Sequence, residues 1–158
     1  MRTRSFFSML FAMTVGLAQQ GFESNRTEQF PVQELNSLEK MLVGQAKQSG
    51  IAFNQLLNVP THSLIMVHRS GATPPEEHSD VSHIWIVKTG SGTVQIGGKM
   101  LNPKKVDANN MLGTSIGGGQ TFKANPGDYF NIPPNVPHRM LLDPGKSITY
   151  LMVNVREH

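Results

Sequence analysis

The chain has 158 residues, 38% of them apolar, no cysteine and a formal net charge of +3. That length suits one domain of ordinary size, and the missing thiols exclude disulfides and thiolate chemistry. The absence of staples is tolerable because a core drawn from about 120 residues can hold a domain without them.

At the N-terminus, Met1-Arg2-Thr3-Arg4 is a basic leader and Phe6 to Leu17 is apolar. Gly16-Leu17-Ala18 then supplies small residues before Gln19-Gln20, the layout of an export signal over residues 1–18. The apolar run is shorter than the roughly 20 residues of a membrane span, and no second one follows. The expectation is a secreted or periplasmic protein with no membrane attachment in its mature form. Loss of Arg2 and Arg4 lowers Lys plus Arg from 14 to 12 against 11 Asp plus Glu, so the mature charge is +1. No Lys/Arg cluster remains that would follow a phosphate backbone, which argues against a nucleic-acid partner. Asn25-Arg26-Thr27 is a glycosylation sequon, relevant only in a eukaryotic host.

Residues 19–52 read as a polar segment followed by one amphipathic helix. From Val32 to about Gln48, Leu35, Leu38 and Leu42 recur near helical spacing, and Gly50 is a stop signal. Residues 53–158 carry strand signals: "SLIMVH", "HIWIVKTG", "GTVQIGG", "DYFNIPP" and "SITYLMVNV", separated by Gly, Pro and Asn. The fold class is therefore all-β, a barrel or jelly roll preceded by a helix. Gly90-Ser91-Gly92 is expected to turn a hairpin, and residues 101–120 read as a long loop, a lid over the barrel mouth.

The stretch "GATPPEEHSDVSH" crowds two glutamates and two histidines beside apolar strand residues, where such groups are costly to bury unpaired. Strand alternation puts Glu76 and His78 on one face and Glu77 on the other, unless a bulge at Glu77 makes it the inward carboxylate. Pro74-Pro75 removes two backbone donors, which suits the start of an edge strand. His83 shares a face with Trp85 and Val87. Downstream, "GDYFNIPPNVPH" sends a strand into a rigid Pro133-Pro134-Asn135 turn and delivers His138 at the start of the next strand. Glu76, His78, His83 and His138 are thus candidate metal ligands: three imidazoles and one carboxylate suit a divalent transition metal. Three of them also have a plainer reading, with His138 packed behind its turn, His83 a satisfied core histidine and Glu76 solvent-facing. His68 is expected in a structural or surface role, Trp85 in the core or pocket wall, and Lys104-Lys105 at a solvated loop tip.

These two stretches resemble the motifs of the cupin superfamily. Gly127, Pro133, Asn135 and His138 fall on the second motif without a gap. Gly71, Glu76, His78, His83 and Gly90 keep the spacing of the first. The chain also resembles a group of short, exported bacterial cupins with E-x-H in the first motif. It departs from the family pattern in having Glu76 for the first histidine, His83 for the glutamate and Leu142 for a common asparagine. The exchange of Glu and His keeps three histidines and one carboxylate, which argues that a metal is retained. The resemblance implies one divalent ion (Fe, Mn, Ni, Cu or Zn), a small polar substrate or ligand, and a capacity to form homodimers. It allows a metal-dependent oxygenase, or an isomerase, lyase or cyclase with Glu76 as ligand or general base. A non-catalytic barrel binding a metal, sugar or small organic acid is the alternative. A structural barrel that lost its chemistry is disfavoured by the intact ligand set.

Overall fold

The computed structural model describes residues 28–71 and 73–157; the expected export signal and the Asn25 sequon lie outside them. The helix α1 (Val32–Ser49) is followed by β1 (Ile51–Asn58), β2 (His62–Arg69), β3 (Glu76–His78), β4 (Val81–Gly90), β5 (Gly92–Ile96) and β6 (Lys99–Leu101). Then come β7 (Lys104–Lys105), β8 (Asn110–Leu112), β9 (Ser115–Gly117), β10 (Gln120–Ala124), β11 (Tyr129–Ile132), β12 (His138–Leu141) and β13 (Ile148–Arg156).

α1 ends as its sequence dictates. Gly50 adopts φ 75°, and its N–H bonds the Ala46 carbonyl at 2.8 Å. One face buries Leu42 and Ala46 against Ala52 and Met66, with Leu35 and Leu38 at the margin. Glu39 fastens the helix to the sheet through Lys88 and Thr89. Among the described residues, no helix is long and apolar enough to cross a membrane.

Two sheets enclose the core. One runs β1-β2-β13-β4-β11 and the other β10-β5-β12-β3-β8-β7, with β6 and β9 forming a small separate ribbon. Their inner faces meet over Val67, Trp85, Val87, Val94, Ile132, Met140, Ile148 and Tyr150. The period-2 pattern explains this: in β4, His83, Trp85 and Val87 are buried together. Leu142 packs on the margin of the same core.

Four local expectations need correction. The first strand begins at Ile51, just ahead of residue 53. Gly90-Ser91-Gly92 does not turn a hairpin, because β4 already has β13 and β11 as neighbours and β5 joins the other sheet. It is a crossing between sheets that needs Gly90: φ is 77°, and a Cβ there would sit 2.0 Å from the Ser147 carbonyl oxygen. Residues 101–120 are not a lid. They contribute β7, β8 and β9, and β8 pairs with β3 through Glu76↔Leu112, Glu77↔Met111 and His78↔Asn110. β3 is therefore not an edge strand, since β12 flanks its other side.

Candidate metal centre

Three histidines from three strands meet at one end of the core. One ring nitrogen from each of His78, His83 and His138 lies within 4.8 Å of the others. The ring centroids are 4.6 Å apart for His78 and His83, 5.4 Å for His78 and His138, and 5.2 Å for His83 and His138.

Cross-strand pairing sets most of this geometry. His83 stands opposite Asn154 in the β4–β13 ladder, His78 opposite Asn110 in β3–β8, and Glu76 opposite His138 in β3–β12. The turn after β11 completes it. Asn135 takes φ 58°, and its N–H bonds the His78 carbonyl at 2.7 Å, which ties the proline turn to β3. The same turn presents the Val136 carbonyl to His138.

Each imidazole has its Nδ1 against an oxygen that can only accept. The distances are 2.6 Å from His83 to Asn154 Oδ1, 2.5 Å from His78 to Asn110 Oδ1, and 2.8 Å from His138 to the Val136 carbonyl. Nδ1 therefore carries the hydrogen in all three rings, and each Nε2 keeps a free lone pair. For His83 and His138 that nitrogen is fully buried and has no hydrogen-bond partner. Orphaned buried acceptors are costly, and native proteins rarely leave two side by side. A divalent transition ion, which binds neutral imidazole through one nitrogen while the other donates to an oxygen, fits these residues.

Burial and the neighbouring imidazoles push His83 down to about 4. Burial likewise pushes His138 down to about 4, despite its bond to Val136 and with His78 and Arg69 adding to the effect. Both rings are neutral at pH 7, the form that ligates.

Glu76 sits beside this group. Oε1 lies 3.7 Å from His138 Nε2, and Oε2 lies 4.0 Å from His78 Nε2. Arg69 Nη2 holds Oε1 at 3.4 Å, while Arg69 Nε donates to the buried Tyr150 hydroxyl at 2.8 Å. Glu76, His78 and His83 line a cavity of about 400 Å³, and Glu77 does not. The β3–β8 ladder carries no register shift, so simple alternation turns Glu77 away. Trp85 is fully buried in the core. His68 faces the helix side and pairs with Thr149 Oγ1 at 2.8 Å. Lys104 and Lys105 are exposed but belong to a strand.

The sequence reading missed four polar residues around the histidines. Arg69 and Asn154 were within reach of alternation, sharing faces with Ile65 and Val67 on β2 and with Met152 on β13. Asn110 and Asp107 were not, because their role depends on the pairing of β8 with β3. Asp107 accepts from Asn110 Nδ2 at 2.8 and 2.7 Å and from the Asn109 and Asn110 backbone N–H groups, which turns Asn110 Oδ1 toward His78.

The cupin domain of Schizosaccharomyces pombe Cnp3 superposes with a TM-score of 0.51 at 10% identity, over 68% of this chain and 65% of that one. The chain has the cupin fold. DMSP lyase DddQ from Ruegeria pomeroyi shares it, with a TM-score of 0.51 at 12% identity over 69% of this chain and 48% of the lyase. The polyketide cyclase RemF from Streptomyces resistomycificus aligns over 69% of this chain and 68% of its own, at 21% identity and a TM-score of 0.49. The family profile of the AraC-like ligand-binding domain matches residues 113–158 of this chain, the segment that contains the proline turn and His138. No curated protein matches its sequence.

Proposed function

We propose that this cupin is an exported, metal-dependent enzyme that moves a proton on a small polar molecule, as an isomerase, lyase or cyclase does. The observation that carries it is the set of three imidazoles, each fixed through Nδ1, with two of the Nε2 atoms buried and without a hydrogen-bond partner. His78, His83 and His138 would hold the ion through Nε2. When bound, a divalent ion there supplies a Lewis acid for a substrate oxygen. Iron, manganese, nickel, copper and zinc all suit the donor set.

Glu76 is the acid–base group of this reading. Its carboxylate borders the imidazole point, faces the cavity and is steadied by Arg69. A proton taken from substrate would come to Oε2, since Oε1 is the oxygen engaged by Arg69. Export rests on the leader pattern of residues 1–18.

Glu76→Gln and Glu77→Gln test the assignment together. With Glu76 as base, Glu76→Gln keeps its metal in elemental analysis but loses about 10²- to 10⁴-fold in turnover, whereas Glu77→Gln changes little. Metal loss in Glu76→Gln would make the carboxylate a fourth ligand instead. Oxygen uptake coupled to turnover would replace proton transfer by oxygenase chemistry. A protein carrying stoichiometric metal but turning over no candidate substrate would be the non-catalytic barrel.

A further inference from the structure

The cavity beside the histidines has two unlike walls. Ile65 and Val67 from β2, Phe53 from β1 and Met152 from β13 make an apolar side, with Phe53 65% exposed at the mouth. Arg69 ends the apolar row of β2, on the same face as Ile65 and Val67, and Glu76, His78 and Asn110 line the cavity from the other sheet. Among the described residues, Arg69 is the one Lys or Arg that lines the cavity.

Arg69 is placed oddly for a structural cation. Its side chain is 7% exposed, so its charge is largely removed from water, yet its only carboxylate partner among the described residues is Glu76 at a long 3.4 Å. A guanidinium has five donors and favours two parallel bonds to one carboxylate. Here Nε serves Tyr150 and Nη2 serves Glu76, which leaves donors over on a group facing the cavity. Neutral imidazoles bring no charge. A divalent ion among them, together with Arg69, would outweigh the two carboxylates that line the cavity, Glu76 and Asp80. With the ion in place the deficit is negative charge, and Arg69 Nη2 and His138 Nε2 both approach the same Glu76 oxygen, at 3.4 and 3.7 Å.

We infer that the ligand of this cavity is a small organic acid with an apolar body, its carboxylate received by Arg69 and its body laid against Phe53, Ile65, Val67 and Met152. The volume of about 400 Å³ lies in the range of small-molecule sites. This assignment rests on reading the cavity as the active site. Its charge preference comes from the ion and Arg69 together, and the share of Arg69 is read from Arg69→Gln at fixed metal content.

The test is calorimetric titration with three probes that share one body, 4-methylpentanoate, 4-methylpentanamide and 4-methylpentylamine. Each is added to zinc-loaded protein whose metal content is fixed by elemental analysis, and to metal-free protein. The acid is expected to bind at least about tenfold more tightly than the amide, as a charge-assisted pair requires, and the amine more weakly than either. Arg69→Gln should erase the preference at unchanged zinc content. Phe53→Ser, at an exposed position, should weaken acid and amide alike. Equal affinities of the wild-type protein for acid and amide, or no binding of the acid, overturns the inference whether or not Arg69→Gln folds. An acid preference in protein that binds no zinc would sustain it while refuting the metal site.

Discussion

The five-stranded sheet carries a buried histidine on each of its faces, and the two are in opposite states. His68, on the helix side, spends Nδ1 on Thr149 and lies near Glu39, which itself ties α1 to Lys88 and Thr89. His83, on the barrel side, gives Nδ1 to Asn154 and leaves a buried Nε2 with no partner. Both residues are 4% exposed, so surface area alone does not distinguish them. What distinguishes them is the neighbourhood. His68 lies in a network that serves attachment of the helix. His83 belongs to a group of three whose ring nitrogens lie within 4.8 Å of one another, and two of those rings leave a buried Nε2 without a hydrogen-bond partner.

The sharpest way to break this contrast is to truncate one histidine from each side. His138→Ala and His78→Ala should each abolish stoichiometric metal in elemental analysis while circular dichroism shows the barrel folded. His68→Ala should keep full metal and instead lose about 1–3 kcal/mol in denaturant unfolding, because Thr149 is left with an unmet partner. Full metal in a His78→Ala, His138→Ala double mutant would refute the assignment.

A smaller effect is expected from the residues that aim the rings. Asn110→Ala removes the acceptor of His78 without touching a ligand atom, and metal affinity should fall about 10- to 100-fold in competition with a chelator. Asp107→Ala, one bond further out, should do less. If Asn110→Ala bound metal as tightly as the wild type, β3 alone would orient His78.

The last effect concerns the metal-free protein as a function of pH. His83 and His138 are pushed down to about 4, below the roughly 6.5 of an unfolded chain, so the unfolded state takes up protons first as pH falls. Their contribution is fully present above about pH 6.5 and is lost progressively toward pH 4, at up to about 1.4 kcal/mol per unit for each ring. Melting temperatures should therefore drop over that interval, and more steeply than in a His83→Gln, His138→Gln protein. Equal slopes would show that other groups set the acid limb.

Much of the barrel was legible because its signals are local. The leucine spacing and Gly50 bounded α1, and alternation in "HIWIVKTG" turned His83, Trp85 and Val87 to one side. The ligand candidates were legible for the same reason, since Glu76 and His78 are two apart and His138 follows a rigid turn. Errors arose where pairing is non-local. Residues 101–120 have the Gly and Asn content of a loop, yet β8 adds to β3, and only that register places Asn110 against His78. Gly90-Ser91-Gly92 has the composition of a hairpin, but the demand of β4 for two other partners turns it into a crossing. Arg69 escaped because a buried cation is explained by what faces it, and those groups come from β3 and β13.

The strand that ends the six-stranded sheet has a further consequence. β7 consists of Lys104 and Lys105, both exposed, with no strand beyond them among the described residues. An open sheet margin is a template for joining another chain, and paired lysines are a common defence against it. Two copies meeting there about a twofold axis would set lysine against lysine. The segment that steadies His78 through Asn110 on its inner side therefore works as a bumper on its outer side. Replacing both lysines by valine would leave the histidines undisturbed and make this sheet margin prone to stick to its own kind.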